Sequence, residues 1–171
     1  MIYNLSNPVT ADYKQFKNIV TSSDFPWLYS KTTNINCEED DCELFCHPLL
    51  QRPAPESRFT KQCSNYTELA VHVAEQILNY NKIEFEFFCR MAVNFTYNTK
   101  VGSPKHDDHP FPHKNLLVYL SSFEDGSTVV CDGDELHKSK PVEDLPIVFS
   151  GFHYNEPPSS GNRIVLIATF I

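Results

Sequence analysis

The segment 104–110 contains side chains that can bind a metal ion together. His106 and Asp108 are two residues apart, so on an extended strand both would point to the same face, with Cα atoms roughly 6.5 Å apart. An imidazole and a carboxylate are two members of the 2-His-1-carboxylate ligand set, which leaves three coordination positions on iron open. The spacing therefore predicts two ligands of an iron site, and the third must come from elsewhere in the chain.

His153 is the candidate for the third ligand. It lies 45 residues after Asp108, directly after an apolar run and before a proline-rich turn, and that separation leaves room for several strands. Ten residues later, Arg163 is the only charged residue in the run that ends at Ile171. A buried guanidinium requires an anionic partner, and a dicarboxylate would supply one.

Short apolar runs separated by turn residues predict the strands that position these side chains. Turn-forming residues such as glycine, aspartate and proline stand between the runs, a rhythm typical of a sandwich or jelly roll. In the last run both alternating sets of side chains are largely apolar, so this strand should lie between two layers. The predicted strands cover residues 85–95, 116–120, 128–131, 147–149 and 163–170.

Two helices are predicted ahead of these strands. Thr10 can cap a helix that ends at Val20, and Ser64 or Asn65 can cap a second one. The first helix presents a modest apolar stripe, and the second should pack across a sheet. The stripe consists of Tyr13, Phe16, Lys17 and Val20, and the packing face of Tyr66, Leu69, Val73, Ile77 and Tyr80. His72 falls on the exposed side of the second helix.

These elements predict an α+β fold whose functional half is a double-stranded β-helix, a cupin-like jelly roll with the N-terminal helices packed on one sheet. At 171 residues and 41% hydrophobic content the chain suits one core, so a single domain over 1–171 is expected. Within it, residues 1–82 would form a helical and loop support and residues 83–171 the β-helix core.

The net charge and the N-terminal sequence indicate where in the cell the protein is located and which classes of partner it is expected to bind. A net charge of −8 argues against binding to nucleic acid or to anionic lipid. The sequence shows neither a signal-peptide pattern nor the roughly 20 apolar residues of a membrane span. We therefore expect a cytoplasmic protein that makes no membrane contact and keeps its six cysteines reduced.

The order His106-x-Asp108, then His153, then Arg163 on the last strand resembles the Fe(II)- and 2-oxoglutarate-dependent oxygenases of the prolyl 4-hydroxylase type. The segment 112–121 and the turn 125–128 are similar to the strand and turn after the HxD motif in small phage-encoded members, which would place the protein in the host cytoplasm. The resemblance covers about residues 85–171. It departs at 143–147, where relatives have a glycine and a basic residue; Pro146 suits an edge strand there.

This resemblance implies decarboxylation of 2-oxoglutarate to succinate and CO2, with an oxygen atom of O2 inserted into a C–H bond of a second substrate. His106, Asp108 and His153 would bind Fe(II). Arg163 would pair with the distal carboxylate of 2-oxoglutarate, and Tyr119 would hydrogen-bond the same carboxylate. Ascorbate joins the candidate cofactors, and the candidate substrates are a prolyl or other peptide side chain, a free amino acid or another small molecule.

Several alternatives stay open at this stage. Asn94 and Tyr97 are equally good candidates for further contacts to 2-oxoglutarate, Tyr119 could be a core aromatic, and Arg163 could pair with an acidic side chain. Two zinc sites are also conceivable from the residue types alone. Pro110 and Pro112 forbid a helix that would bring the histidines of one site together, and the cysteine spacing of the other fits no common zinc motif. One would use His106, His109 and His113, and the other Cys37, Cys42, Cys46 and His47, with Cys63.

Two functions of different classes therefore compete. An iron hydroxylase would convert 2-oxoglutarate to succinate and lose that activity with Asp108 or His153. A cupin-like or catalytically silent binding module would hold zinc, nickel or no metal, would have no affinity for 2-oxoglutarate, and would use Arg163 only to pin a strand.

Overall fold

The computed structural model describes residues 1–32, 42–53, 60–99 and 101–171. In this part of the chain the helices are α1 (Ala11–Val20) and α2 (Thr67–Tyr80). The strands before and after α2 are short and follow one another closely. They are β1 (Ile2–Asn4), β2 (Leu28–Ser30), β3 (Leu44–Gln51), β4 (Lys61–Gln62), β5 (Phe88–Thr96), β6 (Lys114–Tyr119), β7 (Phe123–Asp125), β8 (Thr128–Asp132), β9 (Glu135–Lys138), β10 (Pro146–Phe149), β11 (His153–Asn155), β12 (Pro158–Gly161) and β13 (Arg163–Phe170).

The strands form one large and two small antiparallel sheets. The main sheet has the order β1-β10-β6-β13-β5-β3-β2, with β4 paired to β3. The small sheets are β11-β8-β9 and β12-β7. The described residues form mostly antiparallel sheet with two helices, which is consistent with the predicted jelly-roll type of fold. The predicted strands are present with shifted ends: β5 begins at Phe88 rather than at residue 85.

Strand β13 lies between two apolar layers, as its sequence predicts. One set of its side chains, Ile164, Leu166, Ala168 and Phe170, packs in the cluster that contains the helices. The other set faces away from the helices and packs in a second cluster through Val165 and Ile167. We call the face of the main sheet that carries Val165 and Ile167 the inner face.

The helices cover the other face of the main sheet. In α1 the Thr10 hydroxyl accepts a hydrogen bond from the Tyr13 backbone N–H at 3.2 Å, so the predicted cap is confirmed. The predicted face of α2 is wrong at its end, because Tyr80 is 62% exposed. Small side chains let α2 approach the sheet closely, and they move the buried face to Thr67, Ala70, Val73, Ala74, Ile77 and Leu78.

One expectation about the sheet edges is wrong. Strand β10 lies between β1 and β6 and is therefore not an edge strand; Pro146 is tolerated because it is the first residue of the strand. The N-terminal support also contributes β1–β4 to the main sheet.

Within the described residues, neither helix has the length and apolarity needed to cross a membrane.

Candidate metal centre and co-substrate cavity

His106 and His153 are held side by side by their backbones. Each donates its backbone N–H to the carbonyl of the other, at 2.9 Å from His106 and 2.8 Å from His153. The two imidazole centroids are 4.5 Å apart. The sequence analysis places His106 and Asp108 on one extended strand, and this prediction is wrong. His106 forms an isolated bridge, and Asp108 lies in the following loop.

A close backbone contact fixes the loop that precedes His106. Ser103 donates its N–H to the carbonyl of Asn155 at 2.9 Å, and its hydroxyl accepts from the N–H of Asn155. A Cβ atom on Gly102 would lie 2.1 Å from the Asn155 carbonyl oxygen. Only glycine therefore allows this loop to lie against β11.

The three predicted ligands meet in space, with one donor atom from each within 4.8 Å of the others. The Nδ1 atoms of His106 and His153 lie 2.8 and 3.0 Å from the carbonyls of Pro104 and Gly151. A carbonyl can only accept, so both Nδ1 atoms carry the proton and both Nε2 lone pairs are available. Two such imidazoles and one carboxylate fit the ligand set of Fe(II).

Two arginines hold the Asp108 carboxylate. Arg52 Nη2 and Arg90 Nη1 donate to its Oδ1 at 3.0 and 3.1 Å, while Oδ2 lies 3.5 Å from His153 Nε2. Burial alone would raise the pKa of Asp108, but Arg90, the nearby histidines and Arg52 lower it to about 2. Burial lowers the pKa of His153. At neutral pH the carboxylate is ionised and the imidazole neutral, the states that bind a metal ion.

Arg163 is a buried cation near this group. It is 3% exposed and donates to the Gly126 carbonyl and to the Thr128 hydroxyl, both at 3.0 Å. Among the described residues no carboxylate lies within 4 Å of its guanidinium, and burial lowers its pKa. Thr128 pairs with Asn155 and Val130 with His153. Thr128, whose hydroxyl Arg163 contacts, is therefore two residues along β8 from the residue that pairs with His153. Two residues of a strand span roughly 6.5 Å.

One cavity of about 760 Å³ connects these groups. Its lining includes the three candidate ligands, Arg163, Asn94 and Thr96. The buried Asn94 Oδ1 and Thr96 Oγ1 have no hydrogen-bond partner in the part of the chain that the structure describes. Buried polar atoms are normally satisfied, so these two residues of the lining are candidates for a contact with a polar ligand. The Tyr97 hydroxyl instead donates to Glu43 at 2.9 Å, so the geometry favours Asn94 over Tyr97.

Comparisons with known proteins agree with this architecture. No protein-family model and no curated sequence matches the chain, but solved structures do. An oxidoreductase of the 2OG-Fe(II) oxygenase family from Burkholderia pseudomallei is 15% identical, with a TM-score of 0.65 over 85% of this chain and 72% of that one. A Pseudomonas putida prolyl-4-hydroxylase is 12% identical, with a TM-score of 0.59 over 99% and 91%. This chain has the fold of the 2-oxoglutarate- and Fe(II)-dependent oxygenases.

A third structure shares this oxygenase fold. It is a prolyl hydroxylase from Trichoplax adhaerens in complex with a peptide fragment of the hypoxia inducible factor oxygen degradation domain. It is 11% identical, with a TM-score of 0.63 over 99% of this chain and 83% of that one. At such identities the similarity defines the fold, so the chemistry has to be argued from the site.

Tyr119 lies beside Arg163 in the oxygenase fold, in a fully buried position. Its hydroxyl is 2.6 Å from the Ser139 hydroxyl and 3.2 Å from that of Thr128, and the Arg163 Cζ is 5.8 Å from its ring centroid. The tyrosine also packs in the second core cluster. Both sequence interpretations of Tyr119, a core aromatic and a polar contact near Arg163, are therefore compatible with its surroundings.

The zinc alternative based on histidines is not formed. His109 Nε2 lies 2.7 Å from the Thr169 hydroxyl, and His113 Nε2 lies 3.3 Å from Asp107. His106, Asp108 and His153 are the single group within the described residues whose donor atoms could hold a metal ion.

The cysteine alternative cannot use His47, because both of its ring nitrogens are engaged, with the Pro26 carbonyl and the Ser64 hydroxyl. Cys37 lies outside the described residues, so the predicted cluster as a whole is not described.

Sequence reasoning missed Arg52 and Arg90. Arg90 interrupts the apolar run of β5 much as Arg163 begins that of β13, so the argument that selected Arg163 would have selected it as well. Arg52 gave no such signal, since it stands beside a proline-rich stretch outside any apolar run.

Proposed function

We propose that this chain is an Fe(II)- and 2-oxoglutarate-dependent dioxygenase that hydroxylates a second substrate and releases succinate and CO2. In this proposal residues 1–171 form one oxygenase domain, and the main and small sheets together form a double-stranded β-helix around the cavity.

One observation supports the proposal most strongly. A group of two imidazoles and one carboxylate, of which Asp108 and His153 are buried, shares a cavity with Arg163, a buried cation that has no carboxylate partner among the described residues. An isolated buried charge is costly, so a site of this kind suits an anion that binds reversibly. A five-carbon dicarboxylate can reach the metal ligands with one end and the guanidinium with the other.

The residues of the chain take the following parts. His106, Asp108 and His153 hold the metal ion through Nε2 atoms and a carboxylate oxygen. Arg163 pairs with the distal carboxylate of 2-oxoglutarate, and Tyr119 supports that contact through its hydroxyl. Asn94 lines the cavity and its buried Oδ1 has no partner among the described residues, so it is our choice for a further polar contact.

When bound, Fe(II) supplies the oxidative chemistry of the site, in which 2-oxoglutarate and O2 are consumed and a substrate C–H bond is hydroxylated. The protein contributes binding and orientation. The carbonyls of Pro104 and Gly151 fix the ring orientation of both histidines, and Arg52 and Arg90 fix the carboxylate of Asp108.

Similarity suggests the first substrate class to examine. Two of the matching structures are prolyl hydroxylases, one of them in complex with a peptide. A prolyl or other peptide side chain is therefore a reasonable substrate class, although fold alone does not determine it.

The proposal is tested by succinate formation. Purified protein with Fe(II), O2 and 2-oxoglutarate should form succinate even without a second substrate, through slow uncoupled turnover. Changing Asp108 or His153 to Ala should reduce this rate by more than the roughly tenfold to hundredfold loss typical when a group that orients a ligand is removed.

The matched control is His72→Ala. His72 lies on α2 with its side chain 60% exposed, away from the cavity, so succinate formation should be unchanged. Equal rates in wild type, Asp108→Ala and His153→Ala would contradict the proposed function.

A further inference from the structure

Two guanidinium groups contact the Asp108 carboxylate, although one positive charge would neutralise it. Arg52 and Arg90 both donate to the same oxygen, Oδ1, at 3.0 and 3.1 Å. One guanidinium is enough to neutralise and orient a carboxylate, and each guanidinium has five donors. In the described contacts, Arg52 uses one of its donors here and repeats a contact that Arg90 already makes.

The two arginines lie at the opposite end of the cavity from Arg163. In the pairing of β13 with β5, Arg163 is opposite Thr96 and Arg90 is opposite Thr169, six residues further along β13. Their Cα levels are therefore roughly 20 Å apart along the inner face. The 2-oxoglutarate of the proposed function belongs to the Arg163 end, so the Arg52 end remains for the second substrate.

The wall on the Arg52 side of the cavity carries both apolar and polar side chains. It continues from β5 onto β3 and β2, the last strands of the main sheet. Arg52 follows directly after β3 and is the charged residue that this part of the chain adds to the wall. The apolar lining on the inner face here comprises Pro26, Leu28, Leu44 and Pro48, and polar neighbours in the lining include Ser30, Thr32 and Gln51.

The charges of the cavity do not balance without a further anion. Its charged lining among the described residues is Arg52, Arg90, Arg163, Asp107 and Asp108. The two positive charges of Fe(II) and the two negative charges of 2-oxoglutarate offset each other, so the arginines still outnumber the aspartates. The surplus stands out in a chain whose net charge is −8.

Arg52 is the arginine that can serve a substrate. Its side chain is 39% exposed, whereas that of Arg90 is 25% exposed. If Arg52 turns from Asp108 to another anion, Arg90 still holds the carboxylate. The fixed pair is therefore Arg90 with Asp108, and the exchangeable donor is Arg52.

We propose, resting on the proposed function, that the second substrate carries a carboxylate that pairs with Arg52, attached to an apolar body that packs against the wall formed by β3 and β2. Arg52 is in this view a specificity-determining residue. A substrate of this class has its carboxylate fixed near Asp108, which places the adjoining C–H bonds beside the metal ligands.

The test compares matched acids and amides. Protein loaded with Mn(II) and N-oxalylglycine, an unreactive analogue of 2-oxoglutarate, is titrated by calorimetry with three probes: N-acetyl-leucine, N-acetyl-proline and N-acetyl-phenylalanine. Each is also measured as its primary amide. At least one acid should bind roughly tenfold or more tightly than its amide, the effect of one charge-assisted pair.

Variants assign this preference to one side chain. In Arg52→Gln the acid and the amide should bind equally, and in Arg52→Lys part of the preference should return. Lys61→Gln removes a nearby exposed charge on β4 that does not line the cavity, so it should keep the wild-type ratio. Because each ratio is measured within one variant, differences in metal loading cancel.

Two results would overturn the inference: no acid binds more tightly than its amide, or Arg52→Gln keeps the wild-type ratio. Failure of the proposed function would look different, since the wild type would then not bind N-oxalylglycine at all. The acid and amide ratios would in that case be measured with Mn(II) alone.

Discussion

Arg163→Met separates the two interpretations of Arg163, because it should affect stability and ligand affinity in different ways. Methionine is similar in length but carries no charge. The change removes hydrogen bonds to Gly126 and Thr128, each contributing about 1 kcal/mol. It also removes a buried charge that has no carboxylate partner among the described residues, which is favourable. The free energy of unfolding of the ligand-free protein should therefore stay within about 2 kcal/mol of the wild type.

The affinity for 2-oxoglutarate should fall far more. Removing one partner of a buried, hydrogen-bonded charge pair costs about 2–5 kcal/mol. That range corresponds to a roughly thirtyfold to several-thousandfold weaker affinity.

Thermal unfolding with Mn(II), with and without 2-oxoglutarate, measures both quantities. At a 2-oxoglutarate concentration 100 times its Kd, the wild type should gain about 2.7 kcal/mol. For a chain of this length that is a rise in Tm of roughly 5–11 °C. At the same concentration Arg163→Met should gain less than about 1 kcal/mol. Arg163→Lys, which keeps the charge but loses the planar fork, should fall between them.

An arginine that only pins a strand gives the reverse pattern. Arg163→Met would then lower the Tm of the ligand-free protein strongly, and the shift caused by 2-oxoglutarate would be absent or unchanged from the wild type. Either result would refute the assignment of Arg163 to the co-substrate.

Two further changes test the scaffold around the metal ligands. Gly102→Ala places a Cβ atom 2.1 Å from the Asn155 carbonyl oxygen and should displace the loop that leads to His106. We expect Mn(II) affinity, measured by calorimetry, to fall roughly tenfold or more; an unchanged affinity would contradict this role of the loop. Burial, with His113 and Arg52, lowers the pKa of His109 to about 4. Because the unfolded chain protonates this histidine near pH 6.5, its contribution to stability is complete above that pH and is lost as the pH falls toward 4. At pH 5 the metal-free wild type should have lost roughly 2 kcal/mol on this account. His109→Gln should not show this loss in urea denaturation at pH 7 and pH 5, and equal losses in both proteins would refute the assignment.

Local residue chemistry was sufficient to select the candidate ligands. His106, Asp108 and His153 were chosen from side-chain type and spacing, and the structure brings their donor atoms within 4.8 Å. The burial of the last strand on both faces could also be predicted from the sequence, because both alternating sets of side chains in residues 163–170 are largely apolar. The HxD pair and the alternation of the last strand can be predicted because they depend on neighbours one or two residues away in the sequence. His153, 45 residues after Asp108, was selected by its place after an apolar run and by the family resemblance.

Other features of the site depended on register between distant strands. The order of strands in the main sheet makes β10 an interior strand, which the proline at its start argued against. Asn94 and Tyr97 were equivalent in sequence, and only the pairing of β5 with its neighbours turned the first toward the cavity and left the second to Glu43. A shift of one residue would have exchanged such faces.

By itself the sequence determined which residue types could form a metal site, the positions of the helices and of the five strands β5, β6, β8, β10 and β13, and the two-sided burial of β13. The tertiary structure alone decided that Arg52 and Arg90, 56 and 18 residues before Asp108, converge on one of its oxygens. The physical reason is the distance along the chain over which each effect acts. Propensity and periodicity act between close neighbours along the chain, whereas charges that meet across a cavity are set by how whole strands align.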